Sequence, residues 1–273
     1  MKQIIILTII LTITACGKEK KQLYGQTNGS DGYDVSRKIV GLISNRSDNA
    51  YLGIIENTNI CISVYSNTSI ASRRLQIKEQ AGAMITAIDK KGKDIIQTVY
   101  IEDISFNYVN QSVGYKTEYP QTQQTVVNLS NKLLNLYGKE IAIKSVKETA
   151  LMISERLYVP PYLVLQDIYS ESKQEKLSTA TSFVWNADNR NTNGVVVRVT
   201  AEDPSNRKII ENIGFTEDDG NYTLDAALLD AIPAEANVLV EVIRGNLKIT
   251  NDANGNSYKM YAYSSCSHNF IKQ

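Results

Sequence analysis

A single histidine in 273 residues decides most of what this chain cannot do. With His268 alone, a His-Glu-x-x-His zinc site and any centre built on clustered histidines are excluded. A Ser-His-Asp triad would have to recruit His268, and no Gly-x-Ser-x-Gly elbow exists to meet it. Cys266 stands two positions before it, so on a strand the two side chains would point the same way, without an orienting acid in view. His268 is therefore expected to be solvated or to cap a backbone group. No phosphate loop or dinucleotide fingerprint occurs.

Paired carboxylates need no histidine, and the chemistry they would support is glycoside hydrolysis. Glu102/Asp103, Glu202/Asp203 and Glu217/Asp218/Asp219 supply the residue type. Each falls in an expected turn or strand end, where solvated acids are ordinary. Two stretches, 188–194 and 251–256, place oxygen-bearing side chains at alternate positions before Gly194 and Gly255. A calcium loop takes several carboxylates and these have one each, so hairpin turns built on Asn-Gly are the expectation. No metal or cofactor is implied. Sixteen tyrosines against four phenylalanines is the remaining skew. Tyr258, Tyr261 and Tyr263 fall on both faces of one expected strand, as half-buried strand formers or as exposed glycan or protein contacts.

Lysine plus arginine equals aspartate plus glutamate, 29 each, which leaves no basic face for nucleic acid. A hydrophobic content of 42% is that of a globular chain with a core. Short apolar runs at 39–43, 51–55 and 60–65, separated by Asn-, Ser- and Asp-rich breaks, predict strands. Ile77, Ala81, Met84 and Ala87 or Ile88 recur at helical spacing. Residues 89–94 read as a turn, and 95–101 as a strand leading to Phe106-Asn107-Tyr108, giving an α+β region over 37–120. Residues 119–125 read as a linker. Then Val126, Leu129, Leu133, Leu136 or Tyr137, Ile143, Val146, Ala150, Ile153 and Leu157 form one stripe at 3/4 spacing, which predicts a long amphipathic helix that Gly138 divides and Pro160-Pro161 stops. This makes 121–177 a helical segment and linker. From Thr179 the pattern alternates: Phe183 with Trp185, Val195 with Val197 and Val199, Val238 with Val240 and Val242, Tyr258 with Met260 and Ala262. Turns every 10–20 residues between such strands predict an antiparallel sandwich over 178–273.

Residues 1–16 carry an address. Lys2 precedes the apolar run Ile4-Ile5-Ile6-Leu7-Thr8-Ile9-Ile10-Leu11, too short for the roughly 20 residues of a membrane span. The segment ends Ile13-Thr14-Ala15-Cys16, which resembles the lipobox of bacterial lipoprotein signal peptides. The resemblance implies removal of 1–15 and a diacylglyceryl thioether on Cys16. Each buried CH₂ of attached lipid contributes about 0.8 kcal/mol, so two or three chains hold firmly. Gly17-Lys18-Glu19-Lys20-Lys21 lacks the aspartate that retains such proteins in the inner membrane, which implies the outer one. The abundance of Asn, Ile, Tyr and Lys suits envelope lipoproteins of the Bacteroidota type and of other AT-rich bacteria alike. Residues 16–36 are polar and glycine-rich, a tether expected to hold the body clear of the headgroups. In an exported chain Cys61 and Cys266 permit one disulfide, worth roughly 4–5 kcal/mol over so long a loop; the alternative is two thiols buried as small hydrophobes.

The last 90 or so residues carry a second resemblance. Val195–Val199, then Asp219-Gly220-Asn221-Tyr222-Thr223-Leu224, then Ile232-Pro233 leading into Val238–Val242, resemble the carboxypeptidase-regulatory or Cna-B type of immunoglobulin-like β-sandwich. Residues 225–231 depart from it as an insertion with room for a helical turn. Together these features imply an α+β region with a long amphipathic helix, then an all-β immunoglobulin-like sandwich. The expected role is non-enzymatic: structural, adhesive, or binding a protein or glycan, with the membrane as a partner through Cys16. A carboxylate-dependent hydrolase of envelope polysaccharide and a subunit of an envelope assembly or export complex are the alternatives.

Overall fold

The computed structural model describes residues 22–24, 34–44, 60–71, 76–87, 97–107, 135–166, 176–179, 181–203, 205 and 207–273. Among them strands dominate, with one short α-helix. In chain order the elements are β1 (Gln22–Tyr24), α1 (Asp34–Ser44), β2 (Ile60–Ala71), β3 (Gln76–Ala87), β4 (Thr98–Ile101), β5 (Ile104–Asn107), β6 (Lys139–Lys147) and β7 (Ala150–Val159). They continue with β8 (Leu165–Gln166), β9 (Lys176–Leu177), β10 (Ser182–Trp185), β11 (Val195–Glu202), β12 (Ile209–Thr216), β13 (Asn221–Thr223), β14 (Asn237–Asn251) and β15 (Ser257–Lys272).

A large sheet runs β1-β12-β11-β14-β15-β2-β3, with β9 also beside the end of β15. Its centre is covered on both faces, and β11 reads accordingly: Val195, Val196, Val197 and Val199 are all buried, the continuous apolar run of a strand with no solvent side. Two small sheets, β13-β10-β8 and β5-β4-β6-β7, cover one face side by side. Under the first, Phe183, Trp185 and Leu165 pack on Val197, Val199, Val240, Val242, Cys266 and Phe270. Under the second, Ile101, Ile141, Ile143 and Leu157 pack on Ile60, Ile62, Val64, Tyr258 and Met260. The other face takes α1, whose Ile39 and Val40 pack on Val196, Ile243, Tyr261 and Tyr263. Gly245 makes that approach possible, since a Cβ there would stand 2.8 Å from the Ile39 Cδ1 atom.

The helix lies where strand was expected at 39–43. Asp34 sits in the first turn and pairs with Lys38 one turn on, and Val35, Ile39 and Val40 share the buried stripe. Conversely, the spacing of Ile77 through Ala87 suggested a helix, yet 76–87 is strand β3, paired residue for residue with β2 from Ile60↔Ala87 to Ala71↔Gln76. The long amphipathic helix is likewise overturned. In its described part, 135–138 is a turn and 139–159 is the β6–β7 hairpin, in which Ile141, Ile143 and Ser145 point inward at period two, as do Leu157 and Val159. The 3/4 stripe threaded residues from two strands across a turn at Glu148, whose φ is 57°. Residues 126–134 of that stripe, and the runs at 51–55 and 89–94, lie outside the described residues.

The expected division of the body is crossed by hydrogen bonds. Strand β15 pairs in parallel with β2, from Tyr258↔Ile60 to His268↔Ile70, so residues expected in two domains share one sheet. Within the stretch expected to be tether, Gln22–Tyr24 pairs in parallel with Glu211–Ile213, and α1 begins at Asp34.

Candidate functional site

The two apolar cores on the inner face are separated by a polar seam. Three residues cross the large sheet in one register: Arg244 on β14 stands opposite Ser264 on β15, and Ser264 opposite Ser66 on β2. Each occupies an inward position on a strand whose next inward residue is apolar: Val242, Ala262 and Val64. Ser66 and Ser264 are joined hydroxyl to hydroxyl at 2.8 Å.

Above the seam runs the segment from Pro160 to Val164, which carries the chain from β7 in one small sheet to β8 in the other. A backbone crossing a buried interface must find partners for its own polar groups. Here the seam supplies them. Arg244 donates from Nη2 to the carbonyls of Pro161 and Tyr162, at 3.0 and 3.1 Å. The Leu163 amide donates to the Ser264 hydroxyl at 2.6 Å. The Val164 amide donates to Asn186 Oδ1 at 2.8 Å, while Asn186 Nδ2 donates to the Tyr162 carbonyl at 2.7 Å.

The second guanidinium nitrogen, Nη1, donates to the Asn186 carbonyl at 2.8 Å and to Asp218 at 3.2 Å. Asp218 also accepts from the Trp185 indole at 2.8 Å and from Asn191 Nδ2 at 2.9 Å. The side chains of Arg244 and Asp218 are 0% and 1% exposed, so this is a fully desolvated ion pair, with Nη1 and Nη2 bonded to neighbours and the buried Nε left without a hydrogen-bond partner. Chemically it is closed: donors and acceptors face inward onto the protein itself. What the seam does is hold the β10 sheet, the crossing segment and the large sheet in one arrangement.

A second interlock ties the 188–194 stretch to β7. Tyr158 donates to the Asp188 carboxylate, with its oxygen 2.9 and 3.0 Å from the two carboxylate oxygens, and the Arg190 guanidinium lies 4.3 Å above the Tyr158 ring. Burial, then the hydrogen bond to Asp188 and that carboxylate's charge, push the Tyr158 phenol up to about 12. The 251–256 stretch is the β14–β15 hairpin turn. Asp252 accepts there from the amides of Asn254 and Asn256 and from the Asn256 side chain, at 2.8 to 2.9 Å. Burial raises its pKa, but these bonds outweigh that and hold the carboxyl below its usual range.

The carboxylates named for hydrolysis stay on their own turns. Glu102 and Asp103 are exposed between β4 and β5, where Glu102 accepts from the Ala142 amide at 2.8 Å. Glu202 ends β11, and Asp203 accepts from Ser205. Glu217 and Asp219 are exposed while Asp218 between them is buried in the seam. His268 is not solvated: it lies on the inward face of β15, 3% exposed, with its ring 4.7 Å from that of Phe270. The tyrosines near it are also internal. Tyr258 belongs to the second core, and Tyr261 and Tyr263 stack beneath α1, with Tyr65 against Tyr263.

Of the two readings left open for Cys61 and Cys266, a bridge or two thiols, the strand register goes with two thiols. Cys61 stands beside Lys259 and Cys266 beside Thr68 on the same pair of strands. Seven steps of about 3.3 Å separate them, far beyond the ~7 Å limit for bridged Cα atoms. Cys266 is a buried thiol in the first core, and burial pushes it up to about 11. Cys16 and its flanks lie outside the described residues. Among the described residues no three of His, Cys, Asp and Glu gather as a metal would require, and no helix is long and apolar enough to cross a membrane. No family model, curated protein or solved structure matches this chain.

Arg244 is the residue that pattern reading passed over. It had a signal: Val238, Val240 and Val242 point inward at period two, and Arg244 is the next member of that series.

Proposed function

We propose that this protein is a bacterial envelope lipoprotein, acylated on Cys16 and held by that lipid, with a non-enzymatic structural, adhesive or protein- or glycan-binding body. The observation that carries the reading is Ile13-Thr14-Ala15-Cys16 placed directly after a short apolar run that follows Lys2. Lipid of two or three chains suffices for stable anchoring without a spanning helix. The absence of aspartate after Cys16 supports the outer membrane.

A non-catalytic role is supported by how the body uses its polar side chains. Among the described residues the buried ion pair of Arg244 and Asp218 bonds backbone groups and each other. Support for a Cna-B-like sandwich comes from β10 and β13 facing β11 and β14 across one core, from Asp219-Gly220 leading into β13, and from Pro233 preceding β14. A 3-10 turn at Ala226–Leu228 occupies the inserted stretch. The parallel strand β2 added beyond β15 is a departure from such a domain.

The test is metabolic labelling with a fatty acid, followed by membrane fractionation of the wild type and Cys16→Ser. Label and protein should co-sediment with membranes in the wild type only. An unlabelled wild type, or a Cys16→Ser chain that remains membrane-bound through detergent-free washes, would sink the proposal. Protease shaving of intact cells then separates a surface role, in which the 178–273 region is lost, from a periplasmic one, in which it survives until lysis.

A further inference from the structure

Resting on acylation of Cys16, the pairing of β1 fixes which end of the body meets the bilayer. Only five residues lie between Cys16 and Gln22, so their Cα atoms stand at most about 20 Å apart. Strand β1 runs parallel to β12, with Gln22 beside Glu211, two residues from the start of β12. The chain therefore arrives from the end of the sheet where β12 begins. That end carries the β11–β12 turn, the first residue of β14 and the last of β15, since Asn237 pairs with Ile271. At the opposite end is the Asp252–Asn256 turn. Fourteen steps along β14 put the two ends about 45 Å apart.

We infer that the end bearing Arg207, Lys208 and Ile209 is a membrane-facing surface, seated against the phospholipid headgroups by a five-residue leash rather than held clear on a tether of twenty. Its partner is the bilayer that carries the protein's own anchor. Ile209 is 40% exposed, one of three large apolar side chains exposed among the described residues, and Arg207 and Lys208 beside it are exposed cations. An apolar side chain flanked by long basic ones suits the interfacial layer, where the first enters the acyl boundary and the others reach phosphate. Glu202, Asp203 and Glu235 share this end with Lys176 and Lys272, so acids and bases nearly balance and net charge does not draw it down. The leash does, and seating is accordingly insensitive to salt. The Asp252–Asn256 turn then points away from the membrane.

The test places one fluorophore at either end of the full lipoprotein in a Cys61→Ser background, at Lys208→Cys or Ala253→Cys. Each protein is reconstituted into phosphatidylethanolamine–phosphatidylglycerol vesicles carrying a headgroup quencher. Intact mass verifies the lipid on Cys16. Strong quenching at 208 and its loss at 253 are expected, unchanged at high salt. Inserting twelve Gly/Ser residues between Lys21 and Gln22 should abolish the quenching at 208. Equal quenching at both positions, the reverse order, or quenching at 208 that the insertion leaves untouched overturns the inference while acylation stands. A mass without lipid overturns the anchoring itself and this inference with it.

Discussion

Replacing Arg244 by methionine keeps the stem of the side chain and removes the guanidinium donors that the seam rests on. The carbonyls of Pro161 and Asn186 lose the guanidinium, that of Tyr162 keeps only the Asn186 side-chain amide, and Asp218 is left with the Trp185 indole and Asn191 amide alone. Breaking a buried ion pair from one side costs roughly 3–5 kcal/mol, because the abandoned charge stays desolvated. In a chain of this size each kcal/mol shifts Tm by roughly 2–4 °C, so a fall of about 10 °C is expected. Trp185 is the only tryptophan, and its indole N–H is bonded to Asp218, so its emission reports both native-state rearrangement and unfolding. Urea unfolding followed at Trp185 should show a lower midpoint with an unchanged slope. Replacing Arg198, whose partners Glu241 and Glu211 are part-exposed, should cost less. If Arg244→Met loses under about 1 kcal/mol with native emission unaltered, then the seam does not hold the sheets together. Arg244 would in that case have to be explained by a role outside the fold.

Three further outcomes follow from the same geometry. Unfolding without reductant and alkylating should add two thiol labels, at Cys61 and Cys266, and a chain that takes none would restore the disulfide that the strand register forbids. Gly220→Ala should destabilise by about 1–3 kcal/mol in the same urea assay: φ is +92° there, and the new Cβ would stand 2.9 Å from the Trp185 carbonyl oxygen; a neutral variant would refute the placement of that turn. Tyr158 has its folded pKa raised to about 12 against an ordinary 10.0, so its contribution is complete below pH 10 and is lost as pH rises through 12. Tyr158→Phe should therefore flatten the loss of stability across that window, and an unaltered pH profile would show that the phenol is not held by Asp188.

Where local pattern and tertiary environment agree, the elements were legible. The valines of β11 and β14 and the alternation of β15 could be read directly, because strands in the middle of a sheet must present apolar side chains inward. The misreadings share one cause. Ile143, Val146, Ala150, Ile153 and Leu157 satisfy a helical stripe only if the turn at Glu148 is ignored, and nothing local marks that turn, which has neither glycine nor proline. At 76–87 and 39–43 the runs are short and small residues dilute the period, so the partner decides: β2 recruits the first as a strand, and a glycine-floored sheet face accepts the second as a helix.

The seam shows why the candidate site was harder to read than the fold. Ser66 and Ser264 are 198 positions apart, and Arg244 bonds residues 82 and 83 positions before it, so no spacing rule connects them. Each member looks ordinary alone; Asp218 stands among the acids of a turn, and serine on a strand is unremarked. The one local trace is chemical incongruity: an arginine continuing an inward series of valines must find anions or carbonyls inside the protein, since burial of an unpaired guanidinium is prohibitive. That requirement, applied from Val242 to Arg244, predicts a buried acid and a crossing backbone segment before any coordinates exist. It also says what the site is for. A charge placed where only protein groups can reach it serves the fold, which points the search for partners of this protein to its surface.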